Sequence, residues 1–321
     1  MSDVPAISAV VALYNKESHI ARALNSILAQ TFQDFEVIVV NDGSTDNGAA
    51  VVGTFRDSRI QLIHQENRGV SAARNRGIVA SRADLVAFLD ADDEWLPNFL
   101  DTIMRLRLLY PHAGIYSTAY EVHFPGTVVQ KSFSEIREDT CISSYFGALN
   151  KFGSPLFNSS SFAAPKDVLI HMGCFPIGVK WNEDGMLWGK IALQHHIAYS
   201  PDICSVYHQY SENNSTKITE YLENPFLRYI SSLPRKSLME RADAEDLFEY
   251  CTQCKLATIS RNVYSGHGAI ARLEILSIAS RRYRWKKLKL YLASYIPKFG
   301  LRFISRNAKT FSFIKWKVIQ K

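Results

Sequence analysis

Phe88-Leu89-Asp90-Ala91-Asp92-Asp93-Glu94 ends the apolar run Leu85-Val86-Ala87-Phe88-Leu89 with four acids around one alanine. A short, continuous, bounded apolar run is the pattern of a strand buried on both faces. The acids then fall at the strand's carboxyl end, where open α/β sheets place their ligands. Three aspartates within four residues repel one another and call for a counter-charge, of which a divalent cation is the simplest. Alone, the same stretch also reads as a solvated acidic turn leading into the next helix, with Asp93 and Glu94 as ordinary helix-start acids. Its neighbours decide between the two.

Upstream, strands are expected at Ile7–Leu13, Phe35–Val40 and Ile60–Ile63. Between them, helices are expected from Ser18, as a cap, through Leu28, from Gly48 to Phe55, and from Val70 to Ser81. This β-α-β-α alternation predicts a parallel sheet with helices on both faces. A polar cluster follows three of the strands: Tyr14-Asn15, Asn41 to Asp46, and Asp90 to Asp93. They converge at one sheet edge, as in a nucleotide cleft. Neither GxxxxGK[ST] nor GxGxxG is present, which argues against P-loop and dinucleotide chemistry.

Downstream, a helix over Pro97–Tyr110, a strand over Ala113–Tyr116 and a hairpin or loop over Glu121–Gln130 are expected. Residues 132–163, rich in Ser, Phe and Asn, read as variable surface around a site. A helix over Pro165–His171, another from Asp184, and strands at Ile197–Tyr199 and Cys204–Tyr210 follow. Beyond about residue 215 the pattern turns helical: Leu222–Leu233, Ala242–Val263 and Ile270–Tyr283. The expected domains are residues 1–218 and a helical C-terminal region, 219–321.

At 321 residues, with 47% hydrophobic and 21% charged, the chain is globular and can bury a large core. It has no uninterrupted apolar stretch of membrane-spanning length and no basic, secretory-type N-terminus, so a cytoplasmic location is expected. The five cysteines are scattered. The Cys251-Thr252-Gln253-Cys254 spacing lacks a second ligand pair and reads as two packed thiols on a helix rather than a redox or zinc site. Charge is strongly asymmetric. Residues 281–321 hold thirteen Arg or Lys and no acid, leaving 24 cations against 31 acids, or −7, for the rest. Interleaved with Tyr283, Trp285, Leu288, Leu290 and later aromatics, this tail suits an anionic membrane surface, peripheral on its cytoplasmic face. A solvated helical cap is the plainer reading. No nucleic-acid motif accompanies the tail, so no nucleic acid is expected.

Five segments in order across residues 7–215 resemble the family 2 glycosyltransferases. They are Val10-Val11-Ala12-Leu13-Tyr14-Asn15, Asn41-Asp42-Gly43-Ser44-Thr45-Asp46, Gly69-Val70-Ser71-Ala72-Ala73-Arg74-Asn75, Asp90-Ala91-Asp92-Asp93, and Gly173-Cys174-Phe175 followed by Glu183-Asp184. The resemblance implies an α/β GT-A nucleotide-diphospho-sugar transferase fold: a mostly parallel central sheet flanked by helices, here with the C-terminal helical appendage. The sequence departs from the family pattern at Ala12, where proline is common, and at Asn41, where aspartate is common. His208 and Tyr210 also stand where an Arg and a His are frequent.

What the resemblance implies chemically is an inverting transfer from a nucleotide-sugar donor, a UDP-sugar, to an acceptor hydroxyl, in surface-polysaccharide or lipid-linked oligosaccharide synthesis. Breaking a sugar–diphosphate bond loads negative charge on the leaving oxygen, which Mn2+ or Mg2+ held by carboxylates neutralises. Asp92 is the expected metal ligand, with Asp90 on the ribose or the metal shell and His208 as a weaker third candidate. Tyr14 stacks on the base or simply packs; Asn15 and Ala91 lie beside the donor. Asp42 accepts from a base N–H or serves a turn, and Arg74 reaches the base or diphosphate or faces solvent. Asp184 is the expected general base, supported by Glu183; the alternative for this pair is two acids at a helix start. Trp181 and Trp188 flank it. A degenerate GT-A binding protein recruited by its basic tail is the competing class. A sugar nucleotidyltransferase would want a Gly-rich basic loop that residues 7–20 lack.

Overall fold

The protein is described from a computed structural model that covers residues 4–209, 224–279 and 282–296. Contacts divide the chain into two compact units, residues 1–215 and 216–321.

The first unit opens with β1 (Ile7–Leu13), α1 (Glu17–Leu28), β2 (Phe35–Asp42), α2 (Gly48–Val52), β3 (Ile60–Gln65), α3 (Val70–Ala80) and β4 (Leu85–Asp90). It continues through β5 (Glu94–Trp95), α4 (Phe99–Leu109), β6 (Ile115–Phe124), β7 (Thr127–Lys131), β8 (Thr140–Ile142), α5 (Tyr145–Phe152), β9 (Phe162–Pro165), α6 (Lys166–His171), α7 (Glu183–Ala192) and β10 (Ile197–His208). Among the described residues the strands form one sheet in the order β3-β2-β1-β4-β9-β6-β10-β5, with β7 on β6 and β8 on β10. β1 runs parallel to both neighbours, Val11 facing Val39 of β2 and Leu89 of β4. Those three strands are buried on both faces, which is why each reads as an unbroken apolar run. α3 lies against β1 at Gly77, where a Cβ would come 2.3 Å from Val10 Cγ1, so only glycine permits the approach.

Several boundaries correct the sequence reading. Ser18 is not the cap of α1. Lys16 holds that position, and the Glu17 amide donates instead to Asp46 Oδ2 at 2.8 Å, from the β2–α2 turn. The two strands expected at 197–199 and 204–210 are one strand, β10, with register shifts against β6 between Ser200 and Ser205. Residues 132–163 are not merely variable surface. β9 pairs antiparallel with both β4 and β6, and Phe146, Leu156, Phe157 and Phe162 are fully buried. Interspersed serine and asparagine hid this core because they carry no hydrophobic period.

The second unit is helical where described: α8 (Pro225–Ser232), α9 (Arg235–Met239), α10 (Ala244–Ser265), α11 (Gly268–Ser277) and α12 (Arg284–Ala293). Leu256, Ile259, Val263, Ala271, Ile275, Ile278 and Leu290 form its core. Cys251 and Cys254 sit on α10, and burial pushes their thiols up to about 12 and about 11, as packed thiols rather than reactive thiolates. On α12, Trp285, Leu288 and Leu292 are exposed opposite buried Leu290. Among the described residues no helix is long and apolar enough to cross a membrane. Most of the basic tail, residues 297–321, lies outside the described residues.

Candidate active site

The carboxyl ends of β1, β2 and β4 open into a cleft of about 620 Å³. Tyr14, Asp42, Arg74, Asp90, Ala91, Asp92, Asp93, Glu183 and Asp184 all line it, so residues scattered over 170 positions of sequence meet in one place. Tyr14 is exposed at this edge, which removes the packed-tyrosine reading.

Arg74 ties the two halves of the cleft together. Its Nη2 lies 2.6 Å from Asp90 Oδ1 and its Nη1 3.5 Å from Glu183 Oε1. The guanidinium is also 5.1 Å from the centre of the Phe175 ring. It is buried, not solvated on a helix face; Arg68 and Arg76 are the exposed ones. Burial alone would lower its pKa, but Asp90 and Glu183 more than offset that and raise it. Glu183 and Asp184 open α7, as their sequence spacing predicted. Asp184 Oδ2 accepts from the Ser159 hydroxyl at 2.9 Å and Oδ1 from the Gly185 amide at 2.7 Å. Burial and the neighbouring Asp184 raise the Glu183 pKa against the opposing pull of Arg74.

Residues 8–163 match the model described as glycosyl transferase family 2. Residues 8–163 of the N-terminal unit thus carry a family 2 glycosyltransferase domain. Similar chains include EpsH of Bacillus subtilis (strain 168), 34% identical over 149 residues, which are 46% of this chain and 43% of that one. The uncharacterized glycosyltransferase YibD of Escherichia coli (strain K12) is 37% identical over 110 residues, 34% of this chain and 32% of its own. The chain thus spans less than half the length of each of these relatives. The crystal structure of S. aureus TarS 1–349 in complex with UDP-GlcNAc has a TM-score of 0.60 at 18% identity, covering 94% of this chain and 92% of that one. At that identity the likeness shows the shared GT-A fold.

Within the family 2 domain, several motif residues act as struts. Asp42 is buried. Its Oδ1 accepts from Gln65 Nε2 at 2.7 Å and the Arg68 amide at 2.9 Å, and its Oδ2 from the Gly69 amide at 2.8 Å. It therefore anchors the entry to α3 while lining the cleft. Asn15, expected beside the donor, ties two loops instead. Its Oδ1 accepts from the Thr45 amide at 2.8 Å, its backbone N–H donates to Ser44 Oγ at 3.1 Å, and it is not among the lining residues. Asn75 and Phe175 clasp each other, side-chain amide to backbone, which joins the third motif to Gly173-Cys174-Phe175.

Three acidic-stretch expectations are corrected. No helix follows Asp93 and Glu94 until Phe99, so neither is a helix-start acid. Asp93 is buried, accepting from Ser160 Oγ at 2.5 Å and the His208 amide at 3.0 Å; burial, with Asp90 and Asp92, pushes its pKa well up. Glu94 sits in β5 opposite Val206, and its carboxylate meets His208 Nε2 at 2.8 Å. His208, the candidate third ligand, is thus buried on Glu94, edge-on to His123, and Tyr207 lines the cleft in its place. Tyr210 lies outside the described residues.

A divalent cation suits the donor set in one limited way. Asp90 and Asp92 offer hard carboxylate oxygens to the cleft, the kind Mg2+ and Mn2+ take. No group of three or more His, Cys, Asp or Glu gathers as a ligand set among the described residues, so substrate oxygens and waters would complete the shell.

Lys16, Ser159 and Tyr120 are lining residues that sequence reasoning missed. Lys16 had a signal, a cation directly after Tyr14-Asn15; Ser159 had none. Trp188 also lines the cleft but belongs to an aromatic wall, 4.8 Å from Phe157 and 5.6 Å from Phe162 between ring centres. Trp181 is not among the lining residues.

Proposed function

We propose that the protein transfers a glycosyl group, with inversion, from a UDP-sugar to an acceptor hydroxyl. The observation that carries this is Arg74. One buried guanidinium pairs with Asp90 of the donor-side acids and with Glu183 beside the proposed base, so the two sides of a group transfer face one cleft. Asp184 takes the acceptor proton as the acceptor oxygen bonds to the anomeric carbon. The bond from that carbon to the diphosphate breaks, and its electron pair leaves with the diphosphate. Ser159 fixes the rotamer of Asp184, and Glu183, held by Arg74, shapes the acceptor side. Tyr14, exposed at the rim, offers a face to the base, and Asp42 an acceptor oxygen. Mn2+ or Mg2+, when held at Asp90 and Asp92, supplies Lewis-acid neutralisation of the leaving diphosphate. UDP is the favoured nucleotide because the TarS crystal structure of the same fold holds UDP-GlcNAc.

Calorimetry with UDP, with and without Mn2+, tests the reading, followed by a panel of UDP-sugars assayed for metal-dependent turnover. Absence of metal-dependent UDP binding would sink it. Binding without turnover on any sugar would favour the degenerate binding protein; Asp42, Asp90, Asp92 and Asp184 all standing in the cleft favours the enzyme.

The acceptor proposed is a saccharide or lipid-linked saccharide of surface-polysaccharide synthesis, reached at the cytoplasmic face of a membrane. Support comes from α12, where exposed Trp285, Leu288 and Leu292 share one face and Arg284, Lys286 and Lys289 supply charge for anionic lipid. Sedimentation with phosphatidylglycerol vesicles checks this: Trp285→Ala with Leu288→Ala should abolish binding, and unchanged binding would refute it.

A further inference from the structure

Lys16 stands in the β1–α1 loop with its ammonium 2.6 Å from Asp92 Oδ2, and both side chains are 15% exposed at the cleft. The acid expected to bind a divalent cation therefore already carries a cation from its own chain. Six carboxylates line the cleft against two cations, Lys16 and Arg74, among the described residues. These two cations differ in kind. Arg74 is buried and its planar fork is engaged with Asp90 and Glu183, a geometry a point charge cannot reproduce. Lys16 is a single charge on a flexible stem at the cleft wall, able to exchange partners without breaking a fork. The backbone at Asp92 is held separately, because the Arg22 guanidinium donates to the Asp92 carbonyl oxygen. The backbone that carries the Asp92 carboxylate is therefore anchored independently of the lysine.

We infer that Lys16 is an exchangeable counter-ion: it neutralises Asp92 while the donor site is empty, and passes to the donor's diphosphate when a divalent cation takes Asp92. The inference rests on the proposed donor site. A divalent cation arriving alone must displace the ammonium and leave it without its carboxylate. Arriving with a diphosphate, it displaces the ammonium onto a new anion. Lys16 thereby makes metal and nucleotide binding mutually reinforcing, and by linkage the reinforcement is the same in either order. It also keeps the acidic cleft from holding free metal in the absence of donor.

The test is calorimetry on the full chain, wild type against Lys16→Met, with Mn2+ alone, UDP alone, and UDP at saturating Mn2+. The variant should bind Mn2+ alone about tenfold more tightly and UDP at saturating Mn2+ about tenfold more weakly, a collapse of the coupling. Thermal melting confirms that the variant is folded, and manganese electron paramagnetic resonance gives an independent count of free metal. Lys16→Met binding Mn2+ alone no more tightly than wild type overturns the exchange. A wild type that binds neither Mn2+ nor UDP removes the donor-site reading itself and the exchange with it. A wild type that binds both, beside an unaltered variant, removes only the role of Lys16.

Discussion

The Ser159 hydroxyl donates to Asp184 Oδ2 at 2.9 Å, so the proposed base is oriented by a residue from the loop before β9. A hydrogen bond to a charged group contributes roughly 1.5–3 kcal/mol. If it holds Asp184 toward the acceptor, Ser159→Ala should lower kcat about tenfold or more with little change in KM. Asp184→Asn, which removes the proton acceptor itself, should cost about 100-fold or more. Steady-state kinetics on both variants, with donor and acceptor varied in turn, checks this. Near-normal turnover of Asp184→Asn would place the base elsewhere.

Arg74 is the second lever. Removing one partner of a buried ion pair leaves the other charge uncompensated and costs about 3–5 kcal/mol. Arg74→Met should therefore lower the melting temperature clearly, with Asp90 and Glu183 left facing each other. Arg74→Lys should keep more stability but cannot span both acids, and should bind UDP more weakly at fixed Mn2+. Melting curves and calorimetry on the pair separate the structural share from the binding share. A wild-type melting temperature for Arg74→Met would show that the bridge is not structural.

Asn75 and Phe175 exchange two hydrogen bonds: Nδ2 to the Phe175 carbonyl at 2.8 Å, and the Phe175 amide to Oδ1 at 2.9 Å. Asn75→Ala strands both backbone groups and should cost about 2–4 kcal/mol in urea unfolding. Asn75→Asp separates the contributions. Its Oδ1 still accepts from the amide, but a carboxylate oxygen now opposes the carbonyl. It should be no more stable than the alanine variant; recovery of stability would mean that only the amide bond matters.

Legibility in the sequence follows strand type. β1, β2 and β4 are parallel strands buried on both faces, so each is an apolar run with a polar end, and the meeting of Tyr14, Asp42 and Asp90 at one edge could be read directly. The other half of the sheet gave no such signal. Ser160 receives the Asp90 amide at 3.1 Å and donates to Asp93, and its carbonyl accepts from Trp95 Nε1 at 2.7 Å. A serine with these three tasks looks in sequence like any loop serine. Glu94 was misread for the related reason that its partner, His208, lies 114 positions away. Charges at a strand end look identical whether they meet a ligand, a helix or another strand. Only the pairing of β5 with β10 distinguishes them.

Away from the cleft, Glu36 offers a pH test of the sheet. Its carboxylate accepts from Ser8 Oγ at 2.6 Å, the Arg82 amide at 2.7 Å and Arg82 Nε at 2.8 Å, joining β1, β2 and the turn before β4. Burial works against the charged form, but the bonds from Ser8 and Arg82 win and hold the pKa below its ordinary 4.5. A depressed carboxylate favours the folded state when ionised. Its contribution is therefore present above the unfolded value and is lost as pH falls through the folded one. Glu36→Gln keeps the shape but loses the charge and one acceptor oxygen. It should be less stable than wild type at pH 7 by about 1–3 kcal/mol. The gap should narrow as the pH is lowered past 4.5 and toward the depressed value. Urea midpoints for both proteins between neutral and acid pH check this. A gap that stays constant across the range would show that the loss at pH 7 comes from packing and not from the ionised carboxylate.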